Sequence, residues 1–348
     1  MNPQKFENLL AASTSRRSVV KGAMVASLAV PFALRGLSAV GAQDESYQIA
    51  YLTPGLNVPF WKYLSDGIKQ AAAAADAKIE VTDYDSRNDA ATQLQNAQDA
   101  ITRGVDAIII SPTDSSTAPA VLELAAEANV PVIIADIGTD SGDYVSFVIS
   151  SNEQGAYEAG QVLVENMQAK GWEGADVAMI AISQARINGQ NRTRGFTQAL
   201  EEGGSKIAQY LESEDYTRAE AQQQALDLLT ANPDARGFFT QHDEATLGAW
   251  TAIEDSGKED EIILVGFDGS PESVDLIRAG KLKAASMQQP VLMGRMSLDV
   301  ALKHLRGEEV EKETSVPTIL VTPENLTDVE ATLADTVFPV EGGTPAAS

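Results

Sequence analysis

The residues of this chain that could do chemistry are few, and most stand at the ends of apolar runs. Asp136 closes PVIIAD and Asp268 closes EIILVGFD, while Ser111, Ser150, His242 and Gln288 follow four further runs. A carboxylate pair could hydrolyse a glycosidic bond if its members stood about 5–9.5 Å apart. The same pair could accept hydrogen bonds from adjacent hydroxyls and catalyse nothing. Arg192 could donate to such a guest through its planar fork. Asn57, Phe60 and Trp61 place a flat apolar face beside an amide, which suits a sugar with its C–H faces and polar rim. The plainer alternative is that Phe60 and Trp61 form the first turn of a helix and pack into a core.

Other reaction patterns are thin. The chain has two histidines and no cysteine. His304 stands close to Lys303 and Arg306, a surface setting. A Ser–His–Asp site would need His242, yet no G-x-S-x-G turn occurs. A catalytic zinc needs about three N, S or carboxylate ligands, and no histidine pair has helical spacing, so neither a metal nor a cofactor is expected. Gly155 and Gly160 have the spacing of a phosphate loop but lack its Lys-Ser/Thr, which reads as a helix with small residues. No residue is assigned a catalytic role.

These residues need a scaffold, and the pattern names one. Residues 47–53 and 78–83 read as strands, and helices follow at 63–75 and 89–103. Strands at 106–111, 131–136 and 145–150 continue the series, with a helix at 117–129. DAIIIS and PVIIAD are continuous apolar runs, the mark of parallel strands buried on both faces. After 150 the alternation resumes. Helices are expected at 154–170, 189–202, 219–231, 244–256, 272–279 and 291–306. Strands are expected at 176–182, 206–211, 237–241, 261–268 and 282–288. Strands alternating with helices imply α/β architecture with right-handed crossovers. One sheet of ten or more strands would be unusual, so two doubly wound parallel sheets are expected. The carboxyl ends of such strands are where ligands bind, and a gap between two domains is a preferred site.

The chain has 348 residues, 44% of them apolar, enough for two full cores. Its first 42 residues read as an address, not as fold. Ser15-Arg16-Arg17-Ser18-Val19-Val20-Lys21 is a twin-arginine pattern, an apolar run covers 23–34, and Val40-Gly41-Ala42 supplies small residues for cleavage. Export to the periplasm and a mature start at Gln43 are expected. No later stretch reaches about 20 apolar residues, so stable membrane insertion is not expected. Losing residues 1–42 takes away five of 25 basic residues and one of 50 acidic ones, which leaves a net charge of about −29. That sign excludes nucleic acid and anionic lipid as partners. Residues 341–348 are Gly/Pro/Ala-rich and read as a disordered tail.

Seven segments occur in order: Asn57-Val58-Pro59-Phe60-Trp61, Asp85-Ser86-Arg87-Asn88, Ser111-Pro112-Thr113-Asp114, Arg192-Thr193-Arg194-Gly195-Phe196, Gln241-His242-Asp243-Glu244, Gly266-Phe267-Asp268-Gly269 and Gln288-Gln289-Pro290. Together they make the chain resemble the type I periplasmic binding proteins of the ribose-binding group, over nearly all of its length after residue 42. The resemblance implies two lobes joined by three crossovers near Ser150, Gln288 and Pro317. One lobe would be 43–150 plus 289–317, the other 151–288 plus 318–340. It implies that Asn57, Ser111 and Asp136 bond the ligand from the first lobe while Phe60 and Trp61 cover one face. Arg192, His242, Asp268 and Gln288 would bond it from the second, with Tyr216 on the opposite face and Phe267 beside it. Ribose binders usually carry arginine after the first-lobe aspartate, asparagine where this chain has His242, and asparagine where it has Ser111. Here Ile137 follows Asp136 and makes the pocket more apolar, which favours another pentose, a hexose or a linear polyol over ribose.

The function that the resemblance implies is capture of a small sugar or polyol and delivery to a membrane permease of the ATP-binding-cassette type. Presentation of the ligand to a chemoreceptor or sensor kinase is an alternative partner, and a secreted glycosidase-like or lyase activity is the rival from another class. A transcription-regulator sensor shares the fold but fits poorly with an export signal. A monomer is the default. His242, with an ordinary pKa near 6.5, is expected to weaken ligand binding below about that pH.

Overall fold

The computed structural model describes residues 45–338. The export signal, the expected start at Gln43 and the 341–348 tail lie outside the described residues. Among these residues the strands form two six-stranded sheets.

The first sheet holds β1 (Ser46–Thr53), β2 (Lys78–Asp85), β3 (Ala107–Ile110), β4 (Val132–Ala135), β5 (Ser146–Ser150) and β11 (Glu313–Val316), in the order β11-β5-β4-β3-β1-β2. All of its pairings are parallel. Its central strands, AIII and VIIA, are buried at every position. Alternate residues of these strands feed two separate cores. Ile49, Tyr51, Ile109 and Ile133 pack on one face beneath α1 (Pro59–Ala74) and α9 (Pro290–Leu305). Ala50, Leu52, Ile108 and Ile134 pack on the other beneath α2 (Ala90–Thr102) and α3 (Ala118–Glu127).

The second sheet repeats the plan with β6 (Val177–Ala181), β7 (Ile207–Glu212), β8 (Gly237–Thr240), β9 (Ile263–Phe267), β10 (Ala284–Met287) and β12 (Ile319–Val321), in the order β12-β10-β9-β8-β6-β7. One face carries α4 (Asn152–Ala169) and α5 (Ile187–Glu202) over Met179, Phe239 and Val265. The other carries α6 (Arg218–Ala231), α7 (Asp243–Asp255), α8 (Pro271–Arg278) and α10 (Leu326–Thr336) over Ile180, Phe238 and Leu264. The edge strand β12 runs antiparallel to β10, the one departure from an all-parallel plan among the described pairings.

The chain passes between the sheets three times: from β5 into α4, from β10 into α9, and from β11 to β12. Bonds inside this hinge hold it together. Ser151 Oγ lies 2.9 Å from Ser315 Oγ, and Gln289 Nε2 donates to the Pro317 carbonyl at 2.8 Å. No helix among the described residues is long and apolar enough to cross a membrane.

Sequence reading places the elements up to residue 306 within about two residues of their observed bounds, except α1, which begins at Pro59, four residues before the expected start at Tyr63. It misses β11, β12 and α10. The two strands have four and three residues, too short to show a period.

Candidate ligand-binding site

The two sheets present their carboxyl edges to each other, and the parallel strands deliver their following residues there. After β1 the chain turns through Pro54–Val58, and Pro59 opens α1 with Val58 as the extended N-cap residue. Proline suits that position because its missing N–H would have no helical partner anyway. Phe60 and Trp61 therefore sit in the first turn. Both are buried, and their rings meet edge to face at 4.8 Å and 88°. Phe60 faces a small interior gap that Asp243, Asp268 and Gln288 also line. Trp61 faces outward into a cleft of about 430 Å³ that it shares with Asn57, Asn88, Arg186 and Tyr216. A second cavity of about 520 Å³, with Thr113 and Ser213 in its wall, meets the first at Asn88, Arg186 and Tyr216.

Asp136 follows β4 and Asp268 follows β9, and both have left-handed backbones, φ 67° and 65°; Tyr216 has φ 56°. L-residues with side chains avoid this region, and only a well-determined surrounding holds them there. Three of the sequence-predicted residues are thus held in costly conformations at the sheet edges.

Asp136 is 2% exposed. Its Oδ2 accepts from Asn188 Nδ2 at 2.9 Å, and its Oδ1 has no partner. Burial pushes its pKa up to about 7, with the Asp268 charge adding to the rise and Arg192, Arg186 and Asn188 opposing it.

Arg192 is the most enclosed cation, also 2% exposed. Its guanidinium lies 4.1 Å over the ring of Phe267. Nε donates to Asn152 Oδ1 at 2.8 Å, and Nη1 donates to the Gln241 carbonyl. Nη2 is 3.6 Å from Asp268 Oδ1, which also accepts from Gln288 Nε2 at 2.6 Å. Gln288 Oε1 is buried without a partner. Burial raises the pKa of Asp268 against the pull of Arg192. It also raises Asp243, the first residue of α7, to about 7, with the charges of Asp268 and Glu244 adding to the rise. Of these three carboxylates, Asp268 stands beside the Arg192 guanidinium, Asp136 feels both Arg192 and Arg186, and Asp243 feels the charge of Asp268.

His242 does not behave as the sequence suggests. It caps α7: Nδ1 accepts from the Ala245 N–H at 3.3 Å, so Nε2 carries the proton and faces Ser213 Oγ at 2.9 Å. Burial, with Arg192 and Arg186 nearby, lowers its pKa to about 3. The imidazole stays neutral across pH 5.5–7.5, which corrects the expected loss of binding below pH 6.5. Its ring lies 5.3 Å from Tyr216.

The remaining expected residues scatter. Asn57 is exposed at the cleft rim. Ser111 is fully buried with its hydroxyl 3.3 Å from that of Tyr51. Ile137 is fully buried in the core beneath α1 and α9, and Phe267 in the core beneath α4 and α5. The structure brings Arg192, Phe267, Asp268 and Gln288 into contact and leaves Asn57 and Ser111 outside that group.

Sequence reading missed the corner before α5. Ser183 to Asn188 turns toward the first sheet. Arg186 Nε donates to the Thr113 carbonyl and Nη2 to Asn88 Oδ1, both at 2.9 Å. Its guanidinium stacks 4.8 Å from the centre of the Tyr216 ring. The Ser115 N–H donates to the Ala185 carbonyl, and Ser115 Oγ accepts from the Ile187 N–H at 3.1 Å. With Asn188 on Asp136, five hydrogen bonds cross between the lobes from one corner. Nothing in the run QARINGQ shows this, because its partners are about 50 to 100 residues away in sequence.

Residues 49–309 match the family described as periplasmic binding protein domain. The ribose import binding protein of Salmonella typhimurium is 34% identical over 273 residues, spanning 78% of this chain and 90% of that protein. The D-apiose import binding protein of Actinobacillus succinogenes is 31% identical over 273 residues, spanning 76% of this chain and 84% of that protein. A crystal structure of an ABC transporter solute binding protein from Bacillus halodurans, with bound myo-inositol, aligns with a TM-score of 0.74 at 28% identity, covering 83% of this chain and 99% of the other.

Proposed function

Since the chain belongs to the periplasmic binding protein domain family, we propose that it captures one small polyhydroxy molecule between its lobes and delivers it, without chemical change, to an ATP-binding-cassette permease. The observation that carries this reading is the buried group of Asp136, Arg192, Asp268 and Gln288 at the facing sheet edges. Carboxylates accept from adjacent hydroxyls, and Asp136 Oδ1 and Gln288 Oε1 stand ready to accept. Phe60 and Trp61 supply the apolar face from one lobe. A ligand that bonds both lobes favours the closed arrangement by its differential contacts.

The lobes of this proposal are 43–150 plus 289–317 and 151–288 plus 318–340. Export by the twin-arginine route into the periplasm, removal of residues 1–42 and a monomeric mature chain belong to the same reading. The test is a thermal-shift screen of aldoses, deoxysugars, polyols and inositols, followed by calorimetry of any hit. A ligand at about 100 times its Kd adds about 2.7 kcal/mol to stability, so a hit raises Tm clearly. A flat response across all four classes would overturn the substrate class. Turnover of a bound sugar would overturn the non-enzymatic reading.

A further inference from the structure

The residues expected to hold the ligand border two different spaces. Phe60, Asp268 and Gln288 line the small interior gap. Asn57, Trp61 and Tyr216 line the outer cleft of about 430 Å³, a size within the roughly 300–1,000 Å³ of small-molecule sites. The Phe60 and Trp61 rings, edge to face at 4.8 Å, stand at the division, one facing each space. Both spaces have walls from both sheets. Phe60 and Pro290 stand against Asp268 and Gln288 in the gap, and Trp61 and Asn88 against Arg186 and Tyr216 in the cleft.

The outer cleft keeps hydrogen-bond donors in reserve. Among the described residues, neither the Arg87 guanidinium nor the Trp61 indole N–H has a partner. Asn88 Oδ1 accepts from Arg186 Nη2 at 2.9 Å, which leaves the Asn88 amide hydrogens free. Tyr216 Oη accepts from the Ser183 N–H at 3.2 Å and keeps its own proton to donate. Arg87 and Asn88 follow β2 with left-handed backbones, φ 52° and 54°, as Tyr216 does. Such costly conformations cluster at ligand clamps.

Charge in the cleft is mixed, with Arg87 and Arg186 beside Asp85, Glu214 and Asp215. An anion would meet three carboxylates, and a cation would meet two guanidinium groups. Hydroxyls both donate and accept, so a neutral polyhydroxy group suits both signs.

From this division we infer that the ligand has two units, one held at the enclosed edge with Asp268 and Gln288, the other in the outer cleft against Trp61 and Tyr216 with its hydroxyls on Arg87 and Asn88. The class is a neutral disaccharide or a glycoside of a polyol. The inference rests on the solute-binding reading above and narrows its substrate class.

The test is calorimetry of the full chain with two-unit ligands and their single units: maltose and cellobiose against D-glucose, melibiose against D-galactose and D-glucose, xylobiose against D-xylose, galactinol against D-galactose and myo-inositol. The expected result is that at least one two-unit ligand binds at least tenfold more tightly than either of its units. Arg87→Asn shortens the side chain but keeps a residue type that accepts the left-handed backbone. With its Tm recorded to confirm a folded protein, it should weaken the two-unit ligand at least fivefold and change the single units by less than twofold. Equal changes for both ligands, including none, would overturn the outer subsite. If every preference falls below tenfold, or if single sugars or polyols bind and no two-unit ligand does, the inference is overturned and the solute-binding reading stands. If nothing binds in this set or in the wider screen, both readings fail together.

Discussion

Asp243 shows how much a single buried carboxylate can matter. It is 4% exposed, and its pKa is raised to about 7 by burial and by its neighbours Asp268 and Glu244. In the unfolded chain the same group titrates near 4. Between those values the folded protein holds the proton more tightly, so stability falls as pH rises from about 4 to about 7. Asp243→Asn removes that dependence while keeping the shape. It should raise the Tm of the ligand-free protein, and by more at pH 7.5 than at pH 5. An equal increment at both pH values would show that Asp243 ionises freely in the fold. His242 carries the opposite dependence: it stays neutral in the fold while the unfolded imidazole takes up a proton below about pH 6.5, so it lowers stability as pH falls through that value. Its role was only half legible in the sequence. A histidine just before an acidic helix start is visible, but the Ser213 and Ala245 partners that fix its proton are not.

At the scale of elements, the helices that flank the site are seated by glycines. A Cβ on Gly67 of α1 would overlap the Val291 carbonyl of α9, and one on Gly294 of α9 would overlap the Leu64 carbonyl of α1. Gly195 of α5 stands in the same relation to the Glu153 carbonyl of α4. These close approaches let α1 lie low on the first sheet and set Phe60 and Trp61 at its edge. Alanine favours helix over glycine by about 1 kcal/mol, so Gly294→Ala would stabilise an isolated α9. In the fold it should instead destabilise, by about 1–3 kcal/mol from overpacking. Denaturant unfolding checks this, and a stability gain would mean that the helices can separate freely. The helices and buried strands themselves were legible, because PVIIAD and DAIIIS carry their setting in their composition. The glycine contacts were not, since they depend on which helix lies opposite. Nor were β11 and β12, which are too short to show alternation and are fixed by their partners β5 and β10.

At the scale of the whole molecule, the lobes are held together by their own residues. Arg186, Ile187 and Asn188 make four of the five hydrogen bonds from the corner before α5 to the first lobe. Bonds that involve a charged partner contribute about 1.5–3 kcal/mol each. Arg186→Ala removes two of them together with the stacking on Tyr216. It should shift the ligand-free protein at least tenfold toward an open form, seen as a larger radius of gyration in small-angle scattering. An unchanged radius would mean that this corner does not govern closure. A two-lobed α/β plan was readable from alternating elements, but which residues meet across the gap was not, because neither lobe is continuous in sequence. That discontinuity also governs synthesis. The first sheet is completed by β11 and covered by α9, both made after every helix and strand from α4 to β10. A ribosome therefore releases five of the second sheet's six strands, β6 to β10, before the earlier half can finish. Until then, the face of β3 and β4 that α9 will shield stays open to chaperones, proteases and self-association.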